Sequence, residues 1–287
     1  MLSVQIPKEF SIVRNPEAVI QTIARLSSVV RSSNLSAVSI NHQSMVGYDL
    51  AAEKTVDTII GDVWKAYSFA RRPLLINGKY PRGDAAMRMV RSIGIVRDIG
   101  LKEDQLAADS QLQTFFYRSY TNELPVLSSP DSTSRKIVEF VDHFNGCLSR
   151  IKRQLTLEGR ERLTSYVSEI IGNAEEHAGR GDWLVAGYLD MSSEERWCEI
   201  AVISFGNTFA ETFQALRADS YPRVQIEPLI RAHTSEGKFS KTWKEENLLA
   251  IVALQSGVSS RNASSASTRG QGTIELEPIS KLIFITC

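Results

Sequence analysis

Glu169, Asn173 and His177 recur at every fourth position of the stretch Ser168 to Ala178. An α-helix turns once in about 3.6 residues, so this spacing stacks the three side chains along one face. Leu163, Val167, Ile170, Ile171, Ala174 and Ala178 mark a neighbouring face, with the i, i+3, i+4, i+7 pattern of a core-facing helix. The segment is therefore expected to be a helix that is anchored by its apolar stripe and presents a carboxylate, a carboxamide and an imidazole in a row. Carboxylate and amide oxygens suit a hard cation such as Mg²⁺, which keeps several waters and usually rides on a phosphate substrate. A carboxylate beside such an ion can orient or deprotonate an attacking water or hydroxyl.

The segments that follow narrow the possibilities. Gly179 to Asp182 reads as a turn, and residues 183–191 and 196–204 read as two strands of a hairpin. The second strand runs into Ser204-Phe205-Gly206-Asn207-Thr208. Residues 245–255 form a helix carrying Leu248, Leu249, Ile251, Val252 and Leu254. Residues 256–273 are rich in serine and close on Gly270-Gln271-Gly272-Thr273. Alone, that last stretch reads as a flexible linker. Glycines also let a backbone approach closely, and consecutive N–H groups can cradle phosphate oxygens.

Glu-x-x-x-Asn-Ala-x-x-His-Ala at residues 169–178 resembles the N box of the GHKL ATPase superfamily, which includes gyrase-type topoisomerases, ninety-kilodalton heat-shock chaperones, histidine kinases and mismatch-repair ATPases. The resemblance implies ATP and Mg²⁺ as ligands and a two-layer α/β sandwich of the Bergerat type. It makes Asn173 the Mg²⁺ ligand, Glu169 the general base, and His177 part of the nucleotide site. The family's next motif, Asp-x-Gly-x-Gly, falls on Ser204, Gly206 and Thr208. Serine replaces the aspartate that accepts from the adenine amino group; it can still accept a hydrogen bond but offers no charge. The serine-rich stretch resembles the ATP lid, with Gly257, Arg269, Gly270, Gly272 and Thr273 around the phosphates and Arg261 as a further cation. Only residues 274–287 follow, with Leu282–Ile285 as one strand, so the domain is expected to be minimal or cut short. His143 lies on the helix preceding this region and reads as a packing or capping residue rather than a phospho-acceptor.

The first part of the chain, residues 1–124, alternates strands and helices. Strands are expected at Val4–Ile6, Phe10–Val13, Ala37–Ile40 and Pro73–Gly78, the last as a buried strand. Helices are expected from Pro16 with Asn15 as N-cap, over about 50–70 with Val56, Ile59, Ile60, Val63 and Trp64 as the stripe, and over Asp84–Ile93. Such alternation means an α/β layer fold. Its order resembles the STAS-like domains of anti-sigma-factor antagonists, which implies protein contact or dimerisation. Tyr48-Asp49-Leu50 has an acidic residue but no serine at the position phosphorylated in that family, so no phosphoserine switch is expected. His42 and Asp49 lack further members of a catalytic constellation.

Pro125, Pro130 and Asp131 with several serines and threonines mark a linker, which places the second domain at residues 125–287. The 33 basic and 33 acidic residues cancel, and no long basic run appears, which argues against nucleic acid as the main ligand. Cys147, Cys198 and Cys287 are far apart and form neither a zinc pattern nor a disulfide framework. With no leader or membrane span expected, a cytoplasmic protein fits best. The sequence thus points to an ATP-binding regulatory protein that hydrolyses ATP or transfers its phosphoryl group, for example to serine on a protein partner. Two alternatives stand beside it: a non-catalytic nucleotide-sensing interaction protein, and an unrelated two-domain α/β protein.

Overall fold

A computed structural model describes residues 2–32, 35–94, 112–119, 130–177, 182–192, 197–253 and 255. The chain divides into two compact units, Met1–Tyr117 with Val185–Ile203, and Arg118–Leu184 with Ser204–Cys287. The described residues form helices and small sheets, a mixed α/β composition. The middle of a later hairpin groups with the first unit.

The first unit begins with β1 (Leu2–Gln5), β2 (Glu9–Phe10) and α1 (Pro16–Ser32). Next come β3 (Ala37–Asn41), β4 (Gly47–Tyr48) and α2 (Leu50–Phe69), then β5 (Leu75–Lys79) and α3 (Asp84–Ile93). β1, β3 and β5 form a parallel sheet in that order, and β2 pairs with β4, also in parallel. Parallel neighbours need crossovers, and α1 and α2 supply them. Pro16 opens α1, where its missing N–H is no loss. The Asn15 carbonyl accepts from Val19 at 3.4 Å, while its side-chain amide donates to the Glu9 carbonyl at 3.2 Å.

Strand alternation puts the core on one face of this sheet. Leu2, Val4, Val38 and Ile40 are buried, whereas Ser3 and Gln5 are exposed. Fully burying one such aliphatic side chain contributes about 1.5–3 kcal/mol. Ile6, Phe10, Val19, Leu26, Leu50, Val56, Ile60, Met89 and Val90 complete the core. β5 corrects the expectation of a buried strand: it lies at the sheet edge, and Leu75 is 62% exposed. An apolar run buries its side chains only where layers cover it, and β5 has a strand neighbour on one side alone among the described residues. Gly78 is required there, because a Cβ at this position would stand 2.4 Å from the Ile40 carbonyl oxygen.

In the second unit, α4 (Pro130–Ser149) and α5 (Leu157–His177) pack against each other. The buried residues of α4 are Ile137, Phe140, Val141, Phe144, Cys147 and Leu148; those of α5 are Leu163, Val167 and Ile171. Asn145 Oδ1 accepts the Leu155 amide at 2.7 Å, and Asp142 pairs with Arg160, so the turn between the helices is fixed at two points. His143 is on the exposed side of α4 rather than in its packed stripe.

β6 (Leu112–Ser119), β7 (Asp182–Asp190) and β8 (Trp197–Phe205) make a three-stranded sheet in that order. Two helices that the sequence pattern left unassigned follow, α6 (Phe209–Gln214) and α7 (Tyr221–Ser235), and then α8 (Glu245–Ala253), a helix where the pattern expected one. Phe213, Ile226, Ile230, Leu248, Leu249 and Val252 form their shared core, with Leu216, Phe239 and Trp243 against it. Among the described residues, no helix is long and apolar enough to cross a membrane.

Candidate functional site

The α5 helix turns its two faces to different tasks. Leu163, Val167 and Ile171 are buried, Glu169 is exposed and Asn173 is partly exposed. Four residues advance a helix by little more than one turn, so Glu169 and Asn173 stand one above the other away from the apolar stripe. His177 is the last residue of α5, and its side chain lies outside the described residues. Among the described residues, no group of three or more His, Cys, Asp or Glu could hold a metal ion.

A second set of predicted residues sits at the end of β8. Ser204 is exposed at the close of the strand. Gly206 has φ +151°, a backbone conformation that L side chains rarely adopt, so glycine is required for this turn. Thr208 is the N-cap of α6: its hydroxyl accepts the Glu211 amide at 3.2 Å, and its own amide donates to Glu211 Oε2 at 2.7 Å. The Thr208 hydroxyl also donates to Glu211 Oε2 at 3.0 Å, and the two bonds to this carboxylate oxygen, that of the amide first, hold the Glu211 carboxyl below the usual carboxylate range. Thr208 therefore has a structural task that the sequence motif did not reveal, although Thr-x-x-Glu is itself a capping-box signature.

Glu169, Asn173, Ser204, Gly206 and Thr208 all belong to the second unit. The lid residues Gly257, Arg261, Arg269, Gly270, Gly272 and Thr273, and the tail strand Leu282–Ile285, lie outside the described residues.

Two polar clusters of the first unit were not anticipated. In one, His42 and Glu53 are both buried and stand 3.0 Å apart. Their alignment is too poor for a hydrogen bond, and Glu53 Oε2 is buried without one as well. Lys54, Asp57 and Thr58 on the next turn of α2 are also buried. The Lys54 ammonium donates to the Ile93 carbonyl at 2.8 Å and lies 3.9 Å from Asp57.

The other cluster joins the N-terminus of α2 to the hairpin. Asp49 Oδ1 caps α2 by accepting the Ala52 amide at 2.8 Å. Glu199 Oε1 accepts the Leu50 amide at 2.8 Å, and its Oε2 accepts the Tyr188 hydroxyl at 3.0 Å. Helix N-termini leave amides without intrahelical partners, so two carboxylates here satisfy donors and favour the helix dipole. Arg88 of α3 bonds the Ser192 hydroxyl at 2.6 Å and lies 3.9 Å from Asp190. Burial, with Glu199 next, pushes the Tyr188 phenol far above its ordinary range. Tyr48 is raised by burial, with Asp190 and Glu199 adding to it. A charged residue in the middle of an apolar strand, Cys198-Glu199-Ile200, is the one sequence signal that marks this cluster.

No protein-family model matches the chain, and no curated protein or solved structure matches it.

Proposed function

We propose that the chain is a cytoplasmic ATP-binding regulatory protein whose second unit holds a GHKL-type nucleotide site. The observation that carries this reading is α5, where Glu169 and Asn173 share an accessible face while the apolar stripe is buried. The glycine-dependent turn at Gly206, at the end of β8, supports it. In this account the Asn173 carboxamide oxygen holds Mg²⁺, which when bound neutralises charge on the phosphates. Glu169 orients or deprotonates the attacking water or hydroxyl. The Ser204 hydroxyl accepts from the adenine amino group, and Gly206 lets the backbone approach the base. His177, Gly257, Arg269, Gly270, Gly272 and Thr273 complete the site around the nucleotide. The output is ATP hydrolysis that drives a switch, or phosphoryl transfer to serine on a partner held by the STAS-like first unit. In the same reading that unit serves, alternatively, to form a homodimer.

Two observations favour a second reading, a nucleotide sensor without turnover. Ser204 brings no charge to the adenine position, and the Thr208 hydroxyl and amide are engaged with Glu211. Turnover separates the two readings. Glu169→Ala abolishes hydrolysis or transfer and spares Mg·ATP binding if the site is catalytic; wild-type binding with no turnover in the presence of candidate partners favours the sensor.

A further inference from the structure

Strand β5 is an open edge of the first unit. β3 lies on one side of it, and among the described residues no strand lies on the other. Leu75, Asn77, Gly78 and Lys79 are exposed, and Ile76 is half-buried. The Leu75 amide donates to the Ser36 carbonyl at 3.1 Å, and the Lys79 carbonyl accepts the His42 amide at 2.8 Å. Backbone groups turn to alternate edges along a strand, so Leu75, Asn77 and Lys79 direct theirs to β3. Ile76 and Gly78 then turn an N–H and a C=O each to the open edge. Gly78 has no side chain to hold a second backbone away.

The flanks of this strand carry one sign of charge. Between Asp62 and Asp84 stand Lys65, Arg71, Arg72, Lys79 and Arg82, and no acidic residue. All of these cations are exposed. Phe69, Leu75 and Tyr80, three large apolar side chains of the same stretch, are exposed as well.

We propose that the β5 edge is a docking site for an acidic peptide segment of a partner protein, taken up in extended form as a further strand. The open N–H and C=O groups supply main-chain hydrogen bonds, which select the extended form. Carboxylates on the peptide meet Arg71, Lys79 and Arg82, and this charge selects the partner. Leu75 lies on one face of the strand with Asn77 and Lys79, so an apolar residue of the peptide on that face packs against it. A second copy of this edge is disfavoured, since cations would face cations. A single DNA strand matches the charge, but its phosphates are acceptors and leave the two open carbonyls without donors. The docking site lies within the first unit and is independent of nucleotide binding.

The test titrates the full chain against a fluorescent peptide of alternating glutamate and valine, about eight residues long, with anisotropy as the readout. A version of this peptide N-methylated at its central residues keeps the charge and cannot complete a ladder in either register. A lysine–valine peptide and an oligothymidylate are titrated beside it. The expected result is sub-millimolar binding of the acidic peptide, weakened at least about tenfold by N-methylation and by Lys79→Glu with Arg82→Glu, and no binding of the lysine–valine peptide. The comparison of peptides on the wild type stands even if the variant fails to fold. No binding of the acidic peptide at millimolar concentration, or equal binding of its N-methylated version, overturns the docking site. Tighter binding of the oligothymidylate than of the acidic peptide assigns the basic flank to nucleic acid and overturns it too. Each of these outcomes leaves Mg·ATP binding to be decided by its own titration.

Discussion

His42 Nε2 stands 3.0 Å from Glu53 Oε1 in the interior of the first unit, with the two side chains 5% and 0% exposed. His42 is held from behind, since its amide donates to the Lys79 carbonyl at 2.8 Å and its carbonyl accepts from Met45 at 2.9 Å. Polar groups buried without a hydrogen bond are costly, and His42 Nε2 and both Glu53 carboxylate oxygens are buried in this way. Removing one member of a buried pair typically costs about 3–5 kcal/mol, whereas replacing both by apolar groups can be neutral. His42→Ala is expected to destabilise the protein within that range in urea unfolding, and His42→Leu with Glu53→Leu to recover most of the loss. A single-variant cost below about 1 kcal/mol would show that the pair carries no such burden.

Thr208 separates a capping role from a ligand role. Replacing an N-cap threonine by alanine costs about 0.5–2 kcal/mol. Thr208→Ala is expected to lower stability by about that much, with ATP affinity little changed, because its hydroxyl and amide face Glu211. Thr208→Ser keeps the cap and should recover the stability. A tenfold loss of ATP affinity in Thr208→Ala that Thr208→Ser restores would assign the Thr208 hydroxyl to the nucleotide instead.

Two tyrosines give the first unit an alkaline limit. Tyr188 and Tyr48 are both raised from the ordinary phenol value of 10.0, chiefly by burial. A group whose folded pKa lies above its unfolded value contributes stability that is complete below the unfolded value and lost as pH rises beyond it. Stability is therefore expected to be flat on this account below pH 10 and to fall above it. Tyr188→Phe should flatten that fall, as followed by phenolate absorbance alongside melting. A phenolate signal from all tyrosines at the ordinary pH, in protein still folded, would contradict the assignment.

How far the sequence could be read depends on what each residue's neighbours had to supply. Helix α3 is where its pattern placed it, at Asp84–Ile93, because an amphipathic helix needs only its own period. In α2, Val56 and Ile60 are buried as the stripe implied, yet Glu53, Lys54 and Asp57 are buried too. Hydropathy assigns such residues to solvent, and only their tertiary partners explain otherwise. β5 reads as interior from its apolar run and lies at an edge, since burial of a strand depends on its layers. α7 was hidden by Pro222 in its first turn and Pro228 inside it, although proline near a helix start is favourable. In the candidate site, the Glu169–Asn173 spacing is local and was legible. The Glu199 cap of Leu50 joins positions 149 apart in sequence, and no local pattern announces it.

Asn173 decides the central claim. Its carboxamide is partly exposed on α5 beside Glu169, and the account makes it the Mg²⁺ ligand of a bound nucleotide. Calorimetry of Mg·ATP binding, wild type beside Asn173→Ala, tests this with one titration each and a repeat in chelator. The account predicts Mg²⁺-dependent binding to the wild type that weakens at least about tenfold, or 1.4 kcal/mol, in the variant. No binding at millimolar ATP, or equal binding by both proteins with and without Mg²⁺, would contradict it.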